Sequence, residues 1–399
     1  MKILIITPRI PYPPYRGDKL KIFNIVRNLS RNNEVKIITF HNDDEDLKNA
    51  DELKKYNVKI ETIKLSKISS IINAFNAAFT KTPFQVAYYS SKEMFQKLKT
   101  VFSSEHFDVV YFHLVRTAQY ISALENSNSL KIIDFTDAVS LYLKRYLEVE
   151  KNPFRKMVIW SEYKRIYDYE NIVEKFDNLF VCSEIDREFL IKKGIKTDVQ
   201  ILNNGIDTEY FHPENIEYQK HRIIFTGNMP YFANYDAALY FANDIFPKVN
   251  KRYPDSKFYI VGQYPPRKVK KLNSDKIVVT GFVKDIKMEY LKSEVNVAPI
   301  RFGAGTLNKV LESLILGVPV VTTPMAVMGM PNELKKYIFV GDSPERFADQ
   351  IGYIFNNPSI RTDMLVEAKE VVFKLLGWET VIGNFVNFLK NRITEHKCN

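Results

Sequence analysis

Apolar and polar positions along this chain follow two rhythms. Short, nearly unbroken apolar runs alternate with stretches in which apolar residues return every three or four positions. The first rhythm predicts strands buried on both faces, and the second predicts amphipathic helices. The chain opens with a strand over 2–7, a Pro-rich loop over 8–17 and a helix over 18–31. In that helix Leu20, Phe23, Val26 and Leu29 share one face. A strand at 35–40, a polar helix at 43–56 and a strand at 58–64 follow. Further strands are predicted at 108–113, 131–135, 179–182 and 199–202. The long aromatic and charged stretch 138–175 reads as one or two helices.

The alternation then starts again. Strands are predicted at 222–226, 257–261, 276–280, 295–299 and 318–322. Helices are predicted at 236–250, 284–293, 305–316, 344–355 and 359–376. Such alternation implies parallel sheets covered by helices on both faces, an α/β fold of two doubly wound units. The expected domains are 1–211 and 220–376, joined by the polar segment His212–Gln219. A last helix spans 377–395, with Trp378, Val381, Phe385 and Phe388 on one side. No internal repeat at solenoid periods appears.

Composition narrows the class. An apolar fraction of 45% and a charged fraction of 26% exclude disordered, collagen-like and disulfide-rich chains. The net charge is +10, spread without a basic tail or stripe, which disfavours nucleic-acid binding. A distributed excess fits an anionic substrate or an anionic membrane surface. It fits equally a general Lys- and Asn-rich bias. Cys182 reads as a buried thiol and Cys398 lies next to the end, so neither a disulfide framework nor a metal site is expected. No apolar run reaches the ~18–20 residues of a membrane span, and Ile3–Ile6 is too short for a signal-peptide core. A cytoplasmic protein is expected. Residues 63–90 place Ile68, Ile71, Ile72, Phe75 and Phe79 at helical spacing, with Lys64, Lys67 and Lys81 around them, before Thr82-Pro83 breaks the helix. Such a stripe either docks on an anionic bilayer, as peripheral contact, or packs into a core.

Glycine is scarce: 14 of 399 residues, about half the usual ~7%. Gly227, Gly262 and Gly281 each end a strand, Gly303 and Gly305 follow another, and Gly17 precedes the first helix. Ligands of open α/β sheets bind outside the carboxyl ends of the strands, where glycine lets backbone N–H groups approach them. Tight turns are the plainer account of any single one.

The richest segment runs from Val297 to Val321. A strand enters a Gly-rich loop, and a helix is expected to start near Thr306. The N–H groups of Gly305, Thr306 and Leu307, with the helix dipole, would form an anion site. Arg301 offers a fork and Lys309 a point charge to one phosphate group. Glu312, three residues after Lys309 on the same helix face, can accept two vicinal hydroxyls of a ribose. A surface Lys309–Glu312 pair is the plainer alternative. His113 ends the strand 108–113, as a ligand or as a core residue. Asp134 and Asp137 end the next strand and could orient an acceptor, or Asp137 could cap the following helix. Asp43-Asp44-Glu45-Asp46 contains a formal Asp-x-Asp metal motif. It reads instead as an acidic helix start.

The pattern Pro299-x-Arg301-x-Gly303-x-Gly305-x-x-x-Lys309-x-x-Glu312, followed by Gly317-x-Pro319-Val320-Val321, resembles one branch of the retaining glycosyltransferases of family four, with the GT-B fold. Asn204-Gly205-Ile206-Asp207 with Phe211 and Pro213, and Gly227-Asn228-Met229-x-Tyr231-x-x-Asn234-x-Asp236, are also similar. The opening from Pro11 to Lys19 resembles bacterial sugar transferases linked to exopolysaccharide synthesis.

The resemblance implies two Rossmann-like domains facing a cleft and a C-terminal helix crossing back to the first. It implies sugar transfer from a UDP- or GDP-linked donor to the hydroxyl of a sugar or lipid-linked sugar. Glu312 would hold the ribose, Arg301 and Lys309 the diphosphate, and the backbone at Phe282–Val283 the base. Gly17, Gly227, Asn228, Gly262, Gly303, Ala304, Gly305, Thr306 and Leu307 would complete the donor site. His113 would lie near the reacting sugar, and Asp18, Lys19, Asp134 and Asp137 on the acceptor side. Retention in this family is explained by same-face attack. The leaving phosphate takes the acceptor proton, cations steady the diphosphate, and no metal is needed. Two positions depart from the family pattern. Ala304 stands where a first glutamate is usual, and Asn228 and Asn234 where Arg and Lys are common. They leave a nucleotide-sugar 2-epimerase and an inactive paralogue acting as a binding partner as alternatives.

Overall fold

The strands form where branched apolar residues run together, and a parallel sheet buries both their faces. A computed structural model describes residues 1–15, 17–124, 127–303 and 307–398. The first sheet holds β1 Lys2–Thr7, β2 Glu34–His41, β3 Val58–Lys64, β4 Val109–His113, β5 Leu130–Thr136, β6 Asn178–Val181 and β7 Asp198–Ile201. Their order is β3-β2-β1-β4-β5-β6-β7, all pairs parallel. β1 and β2 run in step from Lys2 opposite Glu34 to Thr7 opposite Thr39. The second sheet holds β8 Gln219–Thr226, β9 Lys257–Val261, β10 Ile277–Gly281, β11 Ser293–Ala298, β12 Val320–Thr322 and β13 Phe339–Val340, ordered β10-β9-β8-β11-β12-β13.

The doubly wound α/β reading therefore holds for both sheets. β13 was not expected. Its two residues show no period, and they are a strand because Phe339 and Val340 pair with Val321 and Thr322. Each sheet reverses its winding once, between β1 and β4 and between β8 and β11. At such a switch point consecutive connections leave in opposite directions and open a crevice at the carboxyl ends of the strands.

The chain divides into two units: Met1–Asn203 with Val381–Asn399, and Asn204–Thr380. The divide precedes the expected boundary at 211. The Ile206 amide donates to the Leu376 carbonyl (2.7 Å), and the Trp378 amide to the Ile206 carbonyl (3.2 Å). A Cβ on Gly205 would lie 2.4 Å from the Trp378 ring. These contacts tie 204–211 to the second unit. The last helix, Trp378–Cys398, starts in the second unit and from Val381 belongs to the first. There Phe385 meets Tyr111 (ring centroids 5.9 Å apart) and Phe180 (5.2 Å). Arg392 Nε donates to Asn178 Oδ1 (3.3 Å). Burying an aromatic anchor such as Phe385 contributes about 1.5–3 kcal/mol.

Two of the strand-end glycines stand where a side chain would collide. A Cβ on Gly262 would stand 1.8 Å from the Gly227 carbonyl oxygen, and one on Gly227 would stand 2.7 Å from Asn234 Cγ. Backbone cannot yield as a side-chain tip can, so Gly262→Ala is expected to cost about 1–3 kcal/mol. Calorimetry should show a lower Tm for Gly262→Ala and none for Gly17→Ala, whose Cβ would meet nothing within 4 Å. Equal Tm values would refute the close-approach account.

Candidate functional site

The switch point of the second sheet collects the polar groups. Beyond β11 the helix Asn308–Ile315 starts with Leu307 at its N-cap. Leucine has no side-chain oxygen to accept from the first turn, and the Val310 amide turns back to the Leu307 carbonyl (2.9 Å). Val310, Leu311, Leu314 and Ile315 bury the helix's apolar face, and Lys309 is drawn in with them to 8% exposure. Its Nζ donates to Asn234 Oδ1 (2.7 Å) and lies 4.1 Å from the centre of the Phe225 ring. Burial pulls the Lys309 ammonium from its ordinary 10.5 down to about 7, opposed by the charge of Glu312.

Glu312 is half-buried and accepts from the Tyr290 hydroxyl at 2.8 Å. That hydroxyl also meets Thr226 Oγ1 at 2.5 Å. Burial raises the Glu312 carboxyl above its ordinary range, while the Tyr290 hydrogen bond and Lys309 pull it back. Asn296 Nδ2 holds the Lys309 carbonyl (3.0 Å). Asn234 Nδ2 donates to the Asn228 carbonyl (3.1 Å), and Gln263 Nε2 to Asn228 Oδ1 (3.3 Å). A polar chain thus runs from Asn228 through Asn234 to Lys309, across the point where β8 and β11 part.

Arg301 is placed otherwise than expected. Its Nε and Nη2 grip both Asp236 oxygens at 2.9 and 2.5 Å, and its guanidinium lies over the Tyr240 ring at 4.7 Å. Asp236 and Tyr240 are one turn apart in the helix Phe232–Tyr240, so both meet the same planar group. Arg301 is therefore no free fork for a phosphate as the chain stands. Ala304, Gly305 and Thr306 lie outside the described residues. Gly303 precedes them, and Phe282 is exposed beside Val283, just past Gly281, whose φ of +71° needs glycine. Tyr290, Asn296 and Gln263 were not predicted. Tyr290 sits in a six-residue helix with no motif around it, so the sequence gives no signal for it.

In the first unit Gly17 opens the helix Gly17–Leu29 beside the β1/β4 switch. Asp18 pairs with Arg9 (2.8 Å), and Lys19 Nζ reaches the Tyr12 carbonyl (3.4 Å). His113 is 1% exposed, with Nε2 3.1 Å from the Asp18 carbonyl oxygen. Burial lowers the imidazole pKa, so the ring is neutral. A carbonyl can only accept, which assigns the proton to Nε2 and a lone pair to Nδ1. That Nδ1 is buried without a partner, and such a group calls for an explanation.

Asp134 corrects its expected role. It is fully buried, and Lys21 Nζ stands 2.9 and 3.0 Å from its two oxygens. The Tyr111 hydroxyl (2.5 Å) and the Thr136 amide (2.7 Å) also donate to it. With every lone pair engaged it cannot bind an acceptor; it anchors the strand ends. Leu114 (φ +69°) and Thr136 (φ +64°) sit beside it in left-handed backbone. Such a conformation costs about 1–3 kcal/mol for a non-glycine residue and persists only where neighbours enforce it. The Leu114 amide donates to the Asp134 carbonyl, and the Cys182 amide to the Thr136 carbonyl, both at 2.7 Å.

Asp137 caps no helix, since Ala138 holds the N-cap of Val139–Val149. It accepts from Cys182 Sγ (3.1 Å). Burial and the charge of Asp186 push its carboxyl up to about 7. The ligand atoms of Asp137, Cys182 and Asp186 lie within 4.8 Å of one another, while Asp186 is engaged by the Ala138 amide (2.9 Å) and the Ser183 hydroxyl. The formal Asp-x-Asp behaves as expected: Asp43 caps the helix Asp44–Leu53, accepting from the Asp46 amide (3.0 Å).

Residues 220–357 match the model of the family described as Glycosyl transferases group 1. An uncharacterized 44.6 kDa protein in the cps region of Klebsiella pneumoniae is 23% identical over 371 residues, covering 88% of this chain and 90% of that one. Anabaena HepE, solved in complex with UDP, superposes with a TM-score of 0.69 at 12% identity, covering 98% of this chain and 100% of that one. Sucrose-phosphate synthase from Thermosynechococcus elongatus gives 0.71 at 13%, covering 99% and 100%. A glycosyltransferase from Rickettsia africae gives 0.68 at 14%, covering 98% of each. At such identities the likeness is one of fold, and that fold is GT-B. With the matched domain it supports a glycosyltransferase.

Proposed function

We propose that this chain is a retaining glycosyltransferase of family four that moves a sugar from a nucleotide-sugar donor to an acceptor hydroxyl. The observation that carries the reading is Lys309, buried at the β8/β11 switch point beside Glu312 and the start of the helix Asn308–Ile315. A departing nucleoside diphosphate gathers negative charge as its bond to the sugar breaks. An ammonium and aligned N–H groups in a partly dry site stabilise that charge where it develops. Tyr290 fixes one oxygen of Glu312, which turns the carboxylate to accept ribose hydroxyls. In the proposed step the bond from the sugar carbon to the phosphate oxygen breaks, and a bond to the acceptor oxygen forms on the same face. The acceptor proton passes to the departing phosphate oxygen. The charge is met by Lys309 and the helix start, so no metal is assigned.

A uridine nucleotide is the favoured donor, because HepE, of the same fold, was solved with UDP and with UDP-glucose. The cps-region relative favours polysaccharide or glycolipid assembly, with a sugar or lipid-linked sugar as acceptor. His113 Nδ1 is assigned a sugar or acceptor hydroxyl. Lys19 and Asp137 remain assigned to the acceptor. The buried thiol Cys182 suits a reducing, cytoplasmic setting.

The test is to supply UDP- and GDP-sugars with lipid extract and follow free nucleotide. Acceptor-dependent release is expected. Glu312→Gln should weaken UDP binding about tenfold by calorimetry, the loss of a charged hydrogen-bond acceptor. Sugar interconversion without release would turn the reading to a 2-epimerase. Absence of any thermal shift by nucleotide would turn it to an inactive binding partner.

A further inference from the structure

The helix Lys67–Asn76 turns its small and polar side inward. Ser70 and Ala77 are buried, and Asn73 Nδ2 donates to the Ser90 carbonyl (3.1 Å). Its large apolar side faces outward: Ile68, Ile71, Ile72 and Phe75 are exposed, with Phe79 one turn on at 80%. A second exposed apolar row lies on the first half of the helix Pro153–Tyr169, formed by Phe154, Met157 and Trp160. Arg165 of that helix donates to the carbonyls of Ala77 (2.5 Å) and Ala78 (3.1 Å), so both rows belong to one region of the first unit. Scattered apolar residues on a surface are ordinary, but a group of this extent marks an interaction surface.

Charge selects the occupant. No Asp or Glu occurs from residue 62 to 92 or from 151 to 161, whereas these stretches carry Lys64, Lys67, Lys81, Lys92, Lys151, Arg155 and Lys156. All seven are exposed. The next acid, Glu162, is buried and spent on the amides of Phe84 (2.8 Å) and Gln85 (3.2 Å). A second copy of this chain would set cations against cations. Acidic lipid headgroups over a hydrocarbon boundary match both halves of the pattern. Trp160, with Lys164 Nζ 4.1 Å from its ring centre, is the type of side chain that seats at that boundary.

We propose that this surface docks the first unit on an anionic bilayer. The apolar rows enter the headgroup boundary, and the cations lie against acidic headgroups. The proposal rests on this exposed surface and not on the transfer reaction. The full chain is expected to sediment with phosphatidylcholine vesicles containing phosphatidylglycerol, not with phosphatidylcholine alone, and less as salt rises. Lys67→Glu/Lys81→Glu should weaken partition at least about tenfold, since each cation near the surface is worth roughly fivefold. Phe75→Ser/Phe79→Ser should abolish it, and both variants should keep the wild-type Tm and nucleotide binding because the side chains are exposed and outside the donor site. Equal partition of variants and wild type, or equal binding to neutral vesicles, would overturn the proposal. So would absent vesicle binding with a dimer in light scattering that Phe75→Ser/Phe79→Ser dissolves, which would give the surface to a second copy.

Discussion

Lys309→Met is expected to lower kcat/KM for the nucleotide sugar about 10²–10³-fold, the usual loss when one preorganised donor to a developing anion is removed. Methionine keeps the volume and needs no solvation, so the helix Asn308–Ile315 should stay packed. The pH dependence separates this from a packing effect. With an ammonium drawn down to about 7, Lys309 in the free chain loses its proton as pH rises through neutrality. A bound diphosphate favours the charged form, so binding above that pH must take up a proton. Affinity should then fall toward about tenfold per pH unit. Calorimetry of UDP binding in buffers of different ionisation enthalpy should show the proton uptake in wild type and none in Lys309→Met. Wild-type turnover in the variant, or a flat wild-type profile from pH 7 to about 9, would remove Lys309 from the site.

Lys21→Met should destabilise the first unit by about 3–5 kcal/mol, because it leaves a buried carboxylate without its cation. Lys21 is 1% exposed and Asp134 0%. The Tyr111 hydroxyl and the Thr136 amide would remain as the carboxylate's partners. The left-handed turns at Leu114 and Thr136 hang on that residue and should loosen with it. For a unit of this size the loss corresponds to a Tm drop of roughly 10 °C. The exposed pair Lys192–Glu188, at a similar 3.0 Å, is the control. Lys192→Met should change stability by less than about 1 kcal/mol. Calorimetry of both variants decides, and equal Tm values would mean that burial adds nothing to the Lys21–Asp134 pair.

The seven strands of the first sheet and five of the second were legible because a strand buried on both faces must be apolar throughout. β13 was not, since two residues carry no period and pairing alone defines them. The strand-end glycines were legible as special; Gly262 owes this to the Gly227 backbone and Gly227 to the Asn234 side chain. Lys309 and Glu312 were legible as a pair because helical spacing is local. The contacts of Lys309 with Asn234, of Glu312 with Tyr290 and of Arg301 with Asp236 were not. Those partners are 75, 22 and 65 positions away in the chain, and only the winding of the sheet brings them together. Asp134 stood at a strand end where ligands are expected, but Lys21, 113 residues away, consumes it.

The stripe of Ile68, Ile71, Ile72, Phe75 and Phe79 shows the same division. Its spacing by itself determines an amphipathic helix, since residues three and four apart share a face. It does not determine which face turns inward. Ser70 and Ala77 are small enough for close packing, and Asn73 finds a carbonyl at Ser90. The tertiary structure therefore seats the small side and leaves the large one outside. Sequence fixes what each face is made of; only the neighbours that folding supplies decide what each face meets.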